Sequence, residues 1–172
     1  MLSDQQFYIL EDTMKVGDIV ILANLGELKV YQADPRDLEA EAGLAPTHIK
    51  LDLINDKNYI DAHKKLHETV TDQAGQFKGG SQGKGNFTQG SIGEKHTLEQ
   101  EIEERVIREV AEDITALLQE KKTRAFIAMP DTIFKRVLEH IPADAQSHIF
   151  KSLEKDLMKS NKTELPEIFA KA

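Results

Sequence analysis

Residues 19–23 (Ile-Val-Ile-Leu-Ala) form an apolar run rich in β-branched side chains, directly after Asp18. Residues 27–32 alternate, with Leu28 and Val30 on one parity and Lys29 and Tyr31 on the other. Asn24-Leu25-Gly26 lies between them with turn chemistry, so the pair predicts a β-hairpin. Asp34-Pro35 is expected to break the chain after it. Ile49, Leu51 and Leu53 alternate with Lys50 and Asp52, which predicts a third strand. Before the hairpin, Ser3 and Gln6 can form a capping box for a helix carrying Phe7, Leu10 and Met14, but residues 7–10 read equally well as a strand.

The second half is more helical. Thr97 and Gln100 have capping-box spacing, and Ile102, Val106, Val110, Ile114, Leu117 and Leu118 then make one apolar stripe. Glu99, Glu101, Glu103 and Glu104 near its start and Lys121 and Lys122 at its end match the helix dipole. Residues 125–129 (Ala-Phe-Ile-Ala-Met) predict a short buried strand, stopped by Pro130. Asp131 is expected to cap a helix with the face Ile133, Phe134, Val137, Leu138 and Ile141, which Pro142 ends. Ile149, Leu153 and Leu157 share both a helical spacing of four and a strand parity; the strand is preferred. Thr163 or Asn161 is expected to cap a last short helix with Pro166 in its first turn. The predicted order is β-β-β, long loop, α-β-α-β-α: an α/β domain with a mixed β-sheet flanked by helices.

Between these halves lie a short polar helix expected over 59–70 and a Gly-rich segment over 75–93. The stretch 73–93 holds seven of the ten glycines, two lysines (Lys78 and Lys84) and no acidic residue. Glycine loses much backbone entropy and buries no side chain, so 75–93 is expected to be a loop. The contrast with the whole chain is sharp: 172 residues carry 22 Lys plus Arg against 30 Asp plus Glu, a net charge of −8. Such a chain is a poor general nucleic-acid binder. Length suits one domain, here read as 16–172 with an N-terminal extension over 1–15. Cysteine is absent, which excludes disulfides, thiolate metal sites and cysteine nucleophiles. No apolar run approaches a membrane span, and Met1-Leu2-Ser3-Asp4 lacks the basic start of a signal peptide, so a cytoplasmic protein with no membrane partner is expected.

Several short patterns in the chain have both a chemical reading and an ordinary loop or surface reading. Gly79-Gly80-Ser81-Gln82-Gly83 matches the Gly-x-Ser-x-Gly elbow of serine hydrolases, but neither the strand before it nor the helix after it is present. A phosphate loop ending at Gly83-Lys84 fails at Lys78 and Gly85. His63 and His67 have the i, i+4 spacing of metal ligands, yet Lys64 and Lys65 lie between them and repel a cation; no metal and no cofactor is expected. Gln76, Phe77, Lys78, Gln82, Lys84, Asn86, Phe87 and Gln89 combine cations, amides and aromatics on a glycine backbone. That mix suits contact with RNA, cations meeting phosphates and aromatics stacking on bases.

The order of these segments resembles the bacterial host attachment protein family, whose name is "protein required for attachment to host cells". The resemblance is carried by Gly75-Gln76-Phe77 and the Gly-rich loop, by Gly93-Glu94-Lys95-His96 with the helix over 99–118, by residues 125–130 with the helix to Ile141, and by Leu153-Glu154-Lys155-Asp156-Leu157. It spans roughly 16–170, and the order of its short motifs identifies it more than any one of them. The family is similar to the middle domain of archaeal and eukaryotic release factors, which implies an RNase H-like α/β fold. In release factors this loop carries Gly-Gly-Gln, and the glutamine helps water attack the peptidyl-tRNA ester. Here Ser81 separates Gly79-Gly80 from Gln82, and Gln76 replaces the arginine usual after the first loop glycine.

The resemblance implies an RNA- or ribosome-contacting module acting through the loop. Its expected partners are the ribosome or tRNA and not DNA. Gln76, Lys78, Gly79, Gly80, Gln82, Lys84 and His96 are the expected contact residues, with Gln82 the candidate catalytic residue if peptidyl-tRNA ester hydrolysis occurs. The alternatives are a host-association or adhesion accessory protein without catalysis, and a metal-dependent hydrolase built on His63 and His67.

Overall fold

A computed structural model of the chain describes residues 12–60 and 90–172, with backbone alone at 90–94. The strands are β1 (Ile19–Ala23), β2 (Glu27–Pro35), β3 (Ile49–Asn58), β4 (Ala125–Met129) and β5 (Ile149–Glu154). The helices are α1 (Leu38–Glu41), α2 (Gly90–Lys121), α3 (Asp131–Glu139), α4 (Ala143–Gln146) and α5 (Leu165–Ala170). The strands make one mixed sheet in the order β3-β2-β1-β4-β5. β1 and β2, like β2 and β3, are antiparallel, whereas β1–β4 and β4–β5 are parallel.

β1 and β4 lie at the centre, and every residue of both is buried. Their continuous apolar sequence follows from that position, because both faces of each strand are covered. On one face, Ile19, Ile21, Ala23, Ile127 and Met129 pack against Val106, Val110, Ile114 and Leu118 of α2 and Ile133 and Val137 of α3. On the other, Val20, Leu22, Phe126 and Ala128 meet Met14, Leu157, Leu165 and Phe169. Phe126 stacks edge-on against both Phe150 and Phe169, at 5.5 Å between ring centroids.

The two central strands are joined at their entrances by charge. Asp18 precedes β1 and Arg124 precedes β4. Arg124 donates to Asp18 from Nε to Oδ1 at 3.1 Å and from Nη2 to Oδ2 at 2.6 Å. Nη2 also reaches the carbonyl of Thr13 at 3.0 Å, and Lys15 N–H donates to Asp18 Oδ2 at 2.8 Å. The guanidinium lies 4.2 Å from the Phe150 ring centroid. Asp18, only 5% exposed, is the one buried charged residue among the described residues.

The hairpin forms as expected, with Asn24 Oδ1 accepting from Gly26 and Glu27 N–H, both at 2.8 Å. The apolar stripe of α2 is buried throughout. Several boundaries differ from expectation. Pro35 does not break β2; it is its last paired residue, opposite Ile49, where a missing N–H costs no interior ladder bond. β3 runs on to Asn58, because a bulge between Val30 and Tyr31 of β2 takes up Ile54 as an extra residue. α2 starts at Gly90, so residues 90–93 of the expected loop are helical and Thr97 lies inside the helix. Helix growth adds a hydrogen bond for each residue fixed, and that offsets the roughly 1 kcal/mol cost of each glycine. Pro130, not Asp131, occupies the N-cap of α3; the fixed proline φ starts the helix without a side-chain bond. Likewise Glu164 precedes α5, while Asn161 Oδ1 accepts from Thr163 N–H in a turn just before it. The short helices α1 and α4 were not expected; each has four residues, too few to show periodicity. Strand β5 ends at Glu154, so Leu157 is buried beyond it. The helix expected over 59–70 lies outside the described residues from 61 onward.

Two stability predictions follow from the clamp and the helix end. Asp18→Ala leaves the Arg124 guanidinium without its carboxylate and is expected to lower unfolding free energy by about 3 kcal/mol in urea titration. Adding Arg124→Met should recover part of that loss, since replacing a buried pair by apolar groups is near neutral. Lys122 ends α2 at φ 50°, a left-handed conformation that glycine adopts without strain. Lys122→Gly is therefore expected to raise the thermal midpoint, with a gain of about 0.5–1 kcal/mol.

Candidate functional site

Tyr59 follows β3 immediately and is fully buried, the last core residue before position 61. Its N–H donates to Gly26 O at 2.8 Å, and its hydroxyl donates to Asp113 Oδ2 of α2 at 2.6 Å. Lys57, two residues earlier and on the same side of the chain, reaches Asp113 at 2.8 Å and Glu109 at 2.9 Å. Its ammonium sits 5.3 Å from the Tyr59 ring centroid. The strand end is thus tied to the middle of α2 by two adjacent side chains, while α2 itself begins at Gly90.

The chemistry of this knot is that of a tether. Burial, reinforced by hydrogen bonding to the Asp113 carboxylate, raises the Tyr59 phenol far above its ordinary value. Desolvation pulls the Lys57 ammonium down, but its bonds to Asp113 and Glu109 outweigh that and leave it above the ordinary lysine value. Both groups stay protonated at neutral pH, so neither serves as base or nucleophile.

Beside the knot a groove of about 840 Å³ runs along α2 from Thr97 to Asp113. Its described lining has five carboxylates (Glu101, Glu104, Glu109, Glu112, Asp113) and three cations (Lys57, Arg105, Arg108). Glu101–Arg105, Glu104–Arg108, Arg105–Glu109 and Arg108–Glu112 all have i, i+4 spacing on this helix. Arg136 of α3 forks to Glu103 and Glu104, and it holds the Glu104 carboxyl below its usual range. The net sign of the lining is negative, which disfavours a bare phosphate. His96, one turn ahead of Gln100, is exposed, with its Nε2 3.2 Å from the Gln100 amide.

Of the residues expected to make contacts, His96 alone falls among the described ones, at the exposed start of α2. Gln76, Lys78, Gly79, Gly80, Gln82 and Lys84 lie outside them, as do His63 and His67. No group of three or more potential metal-ligating side chains occurs among the described residues. No helix there is long and apolar enough to cross a membrane. The Lys57–Tyr59–Asp113 knot was missed in the sequence. Its one signal is the Glu109/Asp113 spacing of four on the predicted helix, which says nothing of what lies across from it.

Ligand sites in α/β sheets favour the carboxyl ends of parallel strands. There Asn24, after β1, lies 3.4 Å from Asp156, after β5. Both side chains already serve turns, Asn24 in the hairpin and Asp156 Oδ1 accepting from Met158 N–H at 3.0 Å. The molecule is therefore a mixed α/β domain with helices on both faces and a tether where residue 61 is reached. A family model described as "Protein required for attachment to host cells" matches residues 19–168, from the first residue of β1 into α5, and the chain belongs to that family. Comparison with curated proteins finds no match.

The tether makes a direct prediction. In an absorbance titration Tyr59 should fail to ionise in the ordinary tyrosine range, and release its proton only as the protein unfolds. Because its folded pKa is raised, its contribution to stability is complete below the ordinary tyrosine value and is lost as pH rises beyond it. Tyr59→Phe removes this bond to a charged acceptor and should cost about 1.5–3 kcal/mol in denaturant unfolding.

Proposed function

We propose that this family member is a cytoplasmic RNA- or ribosome-contacting module, and that residues 75–93 make the contact. The release-factor relationship and an RNase H-like form of the mixed sheet belong to the same reading. One observation carries it: the stretch 73–93 has two cations and no acid in a chain of net charge −8. The described lining of the groove on α2 is net negative and disfavours phosphate there, which is consistent with Lys78 and Lys84 making the contact. In this reading Lys78 and Lys84 neutralise phosphates, and Gly79 and Gly80 let the backbone approach closely. Gln76 and Gln82 hydrogen-bond to RNA, with His96 at the return into α2. The Tyr59 tether supports the reading by fixing the chain to α2 shortly before residue 61.

Ser81 between Gly80 and Gln82 favours contact without ester hydrolysis. Gln82 is the residue to test if peptidyl-tRNA hydrolysis is detected. The family description favours a second reading, an accessory role in association with a host without catalysis.

Co-sedimentation of the full chain with ribosomes across a salt series tests the first reading. Binding should fall steeply with salt. Lys78→Ala with Lys84→Ala should weaken it and flatten the salt slope by about 1.5, the share of two phosphate contacts. Absence of binding at low salt, or an unchanged slope in the variant, contradicts it.

A further inference from the structure

We infer that β3 is the interface of a symmetric dimer, formed by antiparallel pairing of residues 49–53 with the same residues of a second copy of this chain. Among the described residues β3 is the last strand of the sheet on its side, and its outer groups can be located from the hydrogen bonds of β2. Ala33 N–H donates to Asp18 O at 2.9 Å and Ala33 O accepts from Gly17 N–H at 2.8 Å, so both Ala33 groups face away from β3. Its partner Leu51 therefore turns its own N–H and C=O away from β2, and Ile49 and Leu53, two residues to either side, do the same. Ile49 N–H is bonded to Thr47 O at 3.0 Å; its carbonyl faces outward. Leu53 and Ile54 are 49% and 41% exposed, so this edge carries apolar side chains that its own chain does not cover.

The sequence Ile49-Lys50-Leu51-Asp52-Leu53 is complementary to itself when reversed. With Leu51 opposite the partner's Leu51, Ile49 meets the partner's Leu53 on one face. On the other face Lys50 meets the partner's Asp52, and Asp52 meets the partner's Lys50. A two-fold axis normal to the sheet keeps like faces together, so apolar residues lie opposite apolar and each charge opposite its counter-charge. The outward groups of Leu51 then exchange bonds with the partner's Leu51, and Leu53 N–H donates to the carbonyl of the partner's Ile49. Sliding by two residues in one direction places Asp52 opposite the partner's Asp52, and in the other Lys50 opposite the partner's Lys50. Both registers oppose like charges, and the bulge at Ile54 ends the regular edge beyond Leu53. Lys50 and Asp52 are 3.7 Å apart within one copy and both are exposed, so they can turn to a partner without leaving a buried site. Charged residues on an edge strand commonly prevent pairing. Here their order makes one register attractive.

Sedimentation equilibrium of the full chain at low salt, over a range of concentrations, tests this. A monomer–dimer equilibrium is expected. Lys50→Asp and Asp52→Lys should each weaken it by about fivefold or more, and the double variant, with its charges exchanged, should regain most of the affinity. Circular dichroism verifies that each variant keeps its fold. Amide exchange at Leu51 and Leu53 should slow as wild-type concentration rises. A monomer at the highest soluble concentration overturns the inference. So does a dimer indifferent to the single variants, or a double variant no better than either single one.

Discussion

Asp18 and Arg124 set the frame on which the rest of the sheet is placed. They stand at the entrances of two adjacent parallel strands, far apart in sequence, and the forked pair fixes where those strands begin relative to each other. Arg124 O also accepts from Ile19 N–H at 3.0 Å, so backbone and side chain enforce the same register. That register has consequences for every layer. β1 and β4 are buried on both faces, and a slip of one residue would exchange the side chains facing α2 for those facing α5. A buried carboxylate is tolerable because it accepts three hydrogen bonds, from Lys15 N–H and from Nε and Nη2 of Arg124, and because the partner guanidinium lies against Phe150. A further bond, from Arg124 Nη2 to the Thr13 carbonyl, ties the preceding segment to the same point.

Burial falls away from that centre toward β3 and β5. β3 buries little beyond Leu51, while Tyr59 just past its end is fully buried and bonded to α2. The chain is thus anchored at Tyr59, sixteen residues before the segment that the proposed contact uses. α2 does the same on the return, with its buried face beginning at Ile102, twelve residues after its first.

The sequence was most legible where burial imposes a period. The run 125–129 coincides with β4, and the stripe from Ile102 to Leu118 is the buried face of α2. Legibility failed where a local signal competed with tertiary pairing. Asp34 and Pro35 carry a break signal, yet both are still paired with β3, and the ladder ends at Pro35 itself. Thr97 offers a cap, yet the helix grows past it through two glycines. β3 appeared as three alternating apolar residues, because the bulge at Ile54 shifts the parity of everything after it. Asp18, Arg124, Tyr59 and Asp113 bear no mark of their roles, since each acts on a residue more than fifty positions away. The segment 75–93, proposed as the contact, was conspicuous for the opposite reason: its composition departs from the rest of the acidic chain, although most of it lies outside the described residues.

The most direct test of the account is hydrogen exchange followed by mass spectrometry on the full chain, free and with ribosomes. The account predicts that ribosomes slow exchange within 75–93 and at the start of α2, while β1 and β4 exchange at the same slow rate in both samples. Protection confined to other surfaces, or no protection under conditions of low salt, would contradict it.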